Sequence, residues 1–386
     1  MDRSDREICM SAWEGAENVH GAVAPPVFQT SIFTKPSFEA FIQEQEQEHE
    51  RYVYSRGANP TVAFLEERLA LLERGEACKC FGSGMGAISA VLMSLLRGGD
   101  HILFVNSTYG PALEMAEHLR GFGIDHTVLP DGTSDIEPHL RKNTALVYVE
   151  SPGTMRMKVL DLAAITRTAR ARGVWTVMDN TWSTPLFQKP ILAGVDIVIH
   201  SCTKYIGGHS DVLGGAVIGP ASFVRDLFYT GFQLLGSVMS AVEASMVLRG
   251  LRTLPIRMAE HERSAVRVID YLATRPEVAA IHHPHHDHRP DDPLVKNQFS
   301  GFSGLLSFDL KDGSFAKVAA FVNRLSLFRI GASWGGYESL VTAPVRPGNE
   351  EAMRERGFSP GMIRLSVGLE GADSQIEDLE RAFTAL

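Results

Sequence analysis

Residues 196–219 read DIVIHSCTKYIGGHSDVLGGAVIG. A β-branched apolar run ends in small hydroxyl residues and a single lysine, Lys204; a glycine-containing turn follows, and a second apolar run begins. Short apolar runs bounded by glycine and polar residues are strand signals, so Lys204 falls where one buried strand ends, just before another begins. An amine in that position loses hydration and differs from ordinary surface charge.

Working outward, HILFVN (101–106), TALVYVES (144–151) and WTVMDN (175–180) repeat the pattern, with helix-like segments PALEMAEHLRGFG (111–123) and DLAAITRTARARG (161–173) between them. This alternation predicts an α/β fold with a mostly parallel sheet covered by helices on both faces. Beyond about residue 235 come a long helical stretch, strand candidates GLLSFDL (304–310), SLFRIGAS (326–333) and MIRLSVGLE (362–370), and a terminal helix in SQIEDLERAFTAL (374–386). The expected organisation is an N-terminal arm over 1–55, with a solvated acidic helix in EAFIQEQEQEHE (39–50), a large α/β domain over 56–240 and a smaller C-terminal α/β domain over 241–386.

The totals restrict the partners. The chain has 386 residues, 44% of them hydrophobic, enough for a sizeable core, and a formal net charge of -9. That balance gives no basic footprint for nucleic acid or an anionic membrane and favours a small-molecule ligand. The N-terminal residues hold no signal-peptide core, and the most apolar later stretch, LLGSVMSAVEASMVL (234–248), is interrupted by Glu243, so neither secretion nor a membrane span is expected. Four cysteines, Cys9, Cys78, Cys80 and Cys202, fit a reducing cytoplasm better than a disulfide framework. Cys78-Lys79-Cys80 lacks a second Cys or His cluster at metal-site spacing and reads as core or strand-edge thiols. IHHPHHDHRPDDP (281–293) has five histidines within seven residues, but its prolines and aspartates read as a polar surface loop, and no metal is expected.

Ligands of parallel α/β sheets gather outside the carboxyl ends of the strands, and four features stand there. CFGSGMGAISAVLMSLL (80–96) is a glycine-serine turn opening a helix, whose free N–H groups suit a phosphate. Asp179 follows a buried strand, where a carboxylate needs a cation or donor. Ser201, Thr203 and Lys204 end the next strand, and Arg364 lies in an apolar strand, where a guanidinium needs a carboxylate or phosphate. Taken singly, Asp179 could cap a helix, Arg364 could form a structural ion pair and Lys204 could snorkel to the surface. Together they suit an electrophilic cofactor with a phosphate, a ring nitrogen and an aldehyde, plus an amino-acid substrate whose carboxylate takes the arginine.

HSCTKYIGGHSDVLGG resembles the signature of the pyridoxal-phosphate (PLP) enzymes of cysteine and methionine metabolism, the group of cystathionine synthases and lyases and methionine γ-lyase. GAVAPPVFQTSIF, YSRGANPT, GSGMGAISA, NSTYG, ESPGT, DNTW, RGLRTLPIRM, SWGGYESL and IRLSVGLE stand in family order over nearly the whole chain. The resemblance implies the aspartate aminotransferase-like fold of PLP-dependent transferases. It further implies that Lys204 forms the Schiff base with PLP, that Asp179 pairs with the ring nitrogen and that Tyr109 stacks on the ring. Gly84 and Met85 through their N–H groups, and Ser201 and Thr203 through their hydroxyls, would hold the phosphate. Tyr54 and Arg56 match the pair that family members donate to a neighbouring subunit's phosphate site, implying a dimer at minimum and a tetramer as the expected homo-oligomer. Ser339 and Arg364 would bind the substrate α-carboxylate, and Trp334 and Tyr337 would wall a dry pocket.

Fold does not decide among β-elimination, γ-elimination and γ-replacement. ESPGTMRMKV departs from the ESP-x-NP form common in γ-acting members and looks like the cystathionine β-lyase branch, as do DNTW, the Trp334-Tyr337 segment and GSVMSAVEAS before RGLRTL. Asn59-Pro60 of YSRGANPT keeps the γ-branch form. The expected activity is a β-type carbon–sulfur lyase cleaving L-cystathionine to homocysteine, pyruvate and ammonia. The alternatives are cystathionine γ-synthase or γ-lyase chemistry, or a PLP-binding regulatory protein with little turnover. Lys204 would remove the Cα proton, and either Lys204 or Tyr109 would protonate the leaving sulfur.

Overall fold

The computed structural model describes residues 3–14, 18, 20–289 and 291–386; residues 1–2, 15–17 and 19 of the expected arm, and Pro290 of the histidine segment, lie outside the described residues. Seven strands form the larger sheet: β1 (Ala77–Phe81), β2 (His101–Val105), β3 (Asp125–Val128), β4 (Thr144–Glu150), β5 (Trp175–Asp179), β6 (Ile197–Ser201) and β7 (Gly215–Gly219). Their spatial order is β1-β7-β6-β5-β4-β2-β3, with β7 antiparallel to both neighbours and every other pairing parallel. Successive side chains point to opposite faces, and both faces are dry. Ile102, Phe104, Leu146, Tyr148, Ile197 and Ile199 enter one core; Leu103, Val105, Val147, Val149 and Val198 enter another. The apolar runs of the sequence are therefore continuous because both faces are covered by helices.

The second domain holds a smaller sheet of β8 (Val278–His282), β9 (Leu305–Leu310), β10 (Arg329–Ile330), β11 (Leu340–Thr342) and β12 (Met362–Ser366), in the order β10-β11-β12-β9-β8. The helix Ala241–Ala273 joins the two. It starts at a capping box, in which Ser240 Oγ accepts from the Glu243 N–H at 3.2 Å and Glu243 Oε2 accepts from the Ser240 N–H at 2.9 Å. Its residues Ala244–Met258 pack in the core under the larger sheet, and Ala265–Leu272 pack in the smaller domain's core. A division at residue 241 thus falls at the start of this helix, whereas the two cores change over within it. Trp182 is a second joint: its indole N–H donates to Leu305 O of β9 at 3.1 Å, and the side chain is buried. Among the described residues no helix is long and apolar enough to cross a membrane.

Two segments depart from expectation. The N-terminal arm includes a docked helix, Arg3–Met10, whose Asp5 is 1% exposed and paired to Arg74 at 2.9 Å and to Lys189 at 3.0 Å. A carboxylate is tolerated at that depth because two cations accompany it. The histidine segment is not simply a surface loop. His283 is fully buried against Trp182 and Phe302, with ring centroids 5.5 and 5.7 Å away, and burial lowers its pKa to about 3, so it packs as a neutral aromatic.

Gly250, within the joining helix, packs against the turn that follows Lys204: an added Cβ would lie 2.2 Å from Gly207 O and 2.6 Å from Ile206 O. Gly250→Ala gains helix propensity of up to ~1 kcal/mol but forces apart two backbone segments at a cost of about 1–3 kcal/mol or more. A thermal melt is expected to show Gly250→Ala several degrees below wild type, and Gly121→Ala, with open space around it, unchanged. Equal melting temperatures would contradict the packing.

Candidate active site

Parallel registry sets the carboxyl ends of β4, β5 and β6 side by side. Glu150 pairs with Asp179, and Asp179 with Ile199, so both carboxylates and the Ser201–Lys204 turn open toward one edge of the sheet. There a cavity of about 220 Å³ is lined by Gly84, Met85, Tyr109, Asp179, Ser201, Thr203 and Lys204 from the large domain and by Leu305 and Trp334 from the small one.

Lys204 is largely desolvated. Its Nζ donates to Ser333 Oγ at 2.7 Å and lies 5.4 Å from the Trp334 ring centroid. Burial and then the nearby Arg364 cation lower its pKa to about 8, against the opposing pull of Asp179. The SWGG turn closes down on the same point. Gly335 has φ +79, and an added Cβ would sit 2.8 Å from Tyr205 N and 3.2 Å from Lys204 Cβ. Only glycine meets both demands.

Asp179 is held by one oxygen. Oδ1 accepts the Thr181 N–H at 2.9 Å and the Thr181 hydroxyl at 2.5 Å, and among the described residues neither bond involves Oδ2. Thr181 Oγ1 in turn accepts the Ser201 N–H at 2.8 Å, tying β5 to β6. Burial raises the Asp179 pKa, with the Thr181 bonds opposing it. The neighbouring Glu150 is raised further, first by burial and then by the Asp179 charge, and it accepts the Tyr109 N–H at 2.6 Å. Tyr109 thereby starts the helix Gly110–Leu119 with its ring against the cavity.

Arg364, on β12, is depressed in pKa by burial. Among the described residues no carboxylate lies within ion-pair distance, and its Nη1 contacts the Met155 thioether at 3.9 Å. A buried guanidinium without an anion is costly, and it becomes favourable when a ligand carboxylate arrives. On the opposite wall, Ser83 caps the helix Gly84–Leu95 by accepting the Gly86 N–H at 2.9 Å. Gly84 packs so close to Ser201 that a Cβ would lie 3.1 Å from its Oγ, which brings the helix N-terminus beside the Ser201 and Thr203 hydroxyls.

Of the residues expected at the site, the structure gathers Gly84, Met85, Tyr109, Asp179, Ser201, Thr203, Lys204 and Trp334 around the cavity, with Arg364 near enough to perturb Lys204 and Tyr109. Ser339 is not among them. Its hydroxyl donates to Glu370 Oε2 at 2.8 Å and accepts from Gly368 N and Gln375 Nε2, its N–H donates to Glu370 at 2.7 Å and its carbonyl accepts from Arg329. Every polar atom of this fully buried residue is committed to the fold, and the serine that reaches the lysine is Ser333. Tyr337 is 55% exposed and does not line the cavity. Tyr54 and Arg56 stack on each other, 5.4 Å apart, at a separate surface depression beside Phe28 and Val242. This chain's own fold does not bring them to Lys204. Sequence reading missed Ser333, Glu150, Thr181 and Trp182, although all four stand inside the motifs SWGGYESL, ESPGT and DNTW.

The donor set fits a PLP molecule: a helix N-terminus with two hydroxyls for a phosphate, a carboxylate anchored at Oδ1 for a protonated ring nitrogen, and an amine that is partly neutral near neutral pH. The family model for Cys/Met metabolism PLP-dependent enzymes matches residues 8–384. The chain belongs to that family. It is 37% identical over 368 residues to the cystathionine γ-lyase of Bacillus subtilis (strain 168), covering 94% of each chain. It is 35% identical over 368 residues to the cystathionine β-lyase of Lactococcus lactis subsp. cremoris (strain MG1363), again 94% of each. The crystal structure of cystathionine γ-synthase from Xanthomonas oryzae pv. oryzae, in complex with aminoacrylate and cysteine, superimposes with a TM-score of 0.90 at 32% identity over 100% of both chains. Relatives named for three reactions match this PLP-dependent enzyme about equally well, so likeness establishes family and cofactor but not the bond that is broken.

Because only the neutral amine is nucleophilic, a pKa of about 8 makes Lys204 reactive at lower pH than a surface lysine near 10.4. Competitive acetylation of the apoprotein, read peptide by peptide, is expected to give Lys204 a midpoint near 8. A midpoint near 10 would contradict the desolvation described.

Proposed function

We propose that the protein is a β-type carbon–sulfur lyase that cleaves L-cystathionine, with water, to homocysteine, pyruvate and ammonia. The observation that carries this reading is the position of Thr154. It is the first of two residues, Thr154 and Met155, at which ESPGTM departs from the ESP-x-NP form of γ-acting members, and it lines the cavity together with Trp334. This β-like difference therefore falls on the cavity wall, as do Trp182 and Trp334, whereas Tyr337 is exposed and GSVMSAVEAS borders the depression that holds Tyr54 and Arg56. The γ-like feature falls elsewhere: Asn59 caps the helix Pro60–Glu73, accepting the Thr61 N–H at 3.0 Å and donating to Phe28 O at 2.8 Å. Asn59-Pro60 thus has a local reason, a capping side chain followed by proline at the first helical position, that is independent of the reaction.

PLP, when bound, supplies an aldehyde that condenses with amines and a protonated ring that takes up the electron pair released at Cα. In this reading Lys204 would hold it through Nζ, and the same Nζ, when free, would take the Cα proton. Asp179 would pair with the ring nitrogen, its orientation kept by the two bonds of Thr181 to Oδ1. Gly84 and Met85 N–H groups with Ser201 and Thr203 hydroxyls take the phosphate, and Tyr109 covers the ring. Arg364 takes the substrate carboxylate, which orients Cα toward Lys204. Ser333 Oγ, 2.7 Å from Nζ, holds the amine in the cavity, and Trp334 and Trp182 keep water out. Tyr54 and Arg56, exposed on this chain, serve the phosphate site of a second copy, so the active unit is at least a dimer. Four buried thiols, all unpaired, support a reducing cytoplasmic setting.

Product analysis with L-cystathionine tests the reading. Pyruvate and homocysteine in equal amounts are expected, whereas 2-oxobutyrate and cysteine would overturn it in favour of γ-elimination. Lys204→Ala is expected to lose the bound cofactor's visible absorbance and about 10³-fold or more in turnover, in line with loss of a nucleophile and general base. Turnover without measurable change would sink the assignment.

A further inference from the structure

Resting on the reading of the cavity as an amino-acid site, we propose that residues 151–158 act as a strap between the two domains, with Arg156 and Lys158 as positioning residues that set the gap between the cavity wall and Arg364. Both ends of the strap are pinned to the large domain by one side chain: Asn106 Nδ2 donates to Glu150 O at 2.8 Å and to Lys158 O at 2.7 Å. Its middle is fixed by the Thr154 N–H donating to Ser107 O at 2.9 Å.

The two basic side chains then reach across. Lys158 Nζ pairs with Asp287 Oδ2 at 2.8 Å, on the short helix Pro284–Asp287 that follows β8 of the small domain. Arg156 spans both domains: Nε donates to Asp131 Oδ2 at 2.7 Å, Nη1 donates to Gly357 O at 3.0 Å, and the guanidinium lies 4.9 Å from the Phe358 ring centroid. Just before these two cations sit Pro152 and Thr154 in the cavity wall and Met155, whose thioether is 3.9 Å from Arg364 Nη1. The segment that touches the substrate space is thus the one whose neighbouring cations bind the small domain, which carries Arg364.

The Lys158–Asp287 pair is partly exposed, with side chains 41% and 15% accessible, so its loss affects global stability little. Its lever is position, because small displacements of groups that orient a substrate weaken its binding disproportionately. Glycine, which carries no bond to eliminate, reports this through the visible absorbance of the holoenzyme's cofactor, whether or not cystathionine is the substrate. Lys158→Asp and Asp287→Lys are each expected to raise the glycine Kd about fivefold, the scale of one partly exposed ion pair. The double swap is expected to return it to within about twofold of wild type, and KM for the cleaved amino acid should follow while kcat changes less than about twofold. Arg156→Met, which leaves the swapped pair intact, is expected to weaken glycine in the same direction. Wild-type glycine affinity in the folded single variants, or a double swap as weak as the singles, overturns the strap. No glycine response in the wild-type holoenzyme overturns the amino-acid reading beneath it.

Discussion

Four ionisable groups, Lys204, Arg364, Asp179 and Glu150, are stripped of much of their water in one cleft, and the surrounding structure is arranged to hold them there. Burial disfavours the charged form of each, so each needs a compensating contact. Asp179 has Thr181, Glu150 has the Tyr109 N–H, and Lys204 has Ser333. Among the described residues Arg364 has no carboxylate partner, its Nη1 meeting the Met155 thioether, and that imbalance leaves the cleft one anion short at the place where a substrate carboxylate would lie. A ligand that supplies the missing charge binds the folded state alone and so stabilises it.

The architecture follows from holding these groups in register. Three parallel strands bring the carboxylates and the lysine turn to one edge, which the larger domain can do alone. Arg364, Ser333 and Trp334 come from the smaller domain, so a rigid connection is required. The helix Ala241–Ala273 provides it by entering both cores, and Arg257 on that helix donates to Tyr205 O at 2.6 Å and Gly250 O at 2.7 Å, fixing the residue after Lys204. Gly335 completes the closure, since its left-handed conformation lets the SWGG turn press on the lysine backbone.

Much of this was legible in the sequence, because buried parallel strands leave unbroken apolar runs and because a charged residue at the end of such a run is costly unless it has a function. Lys204 and Asp179 stand out in that way, and Arg364 stands out inside an apolar run. The edge strand β3, with sequence DHTV, and the three-residue β11 carry no such pattern, since one is half solvated and the other too short for a period to show, and of the candidate SLFRIGAS only Arg329–Ile330 forms a strand. Ser339 and Ser333 lie six residues apart in one glycine-rich segment, and nothing local distinguishes them. The choice is made by tertiary partners, Glu370 and Gln375 for Ser339 and Lys204 for Ser333. Asn59, suggestive of γ-chemistry as a motif, has a helix-capping role that only its hydrogen bonds reveal.

The account depends most on Lys204 being the residue that carries the cofactor. Reduction of the holoenzyme with borohydride, followed by peptide mass spectrometry, fixes PLP to the amine it occupies. The account predicts a pyridoxyl-phosphate adduct on the peptide containing Lys204. An adduct on the buried Lys79 or the half-buried Lys189, with Lys204 unmodified, would contradict it.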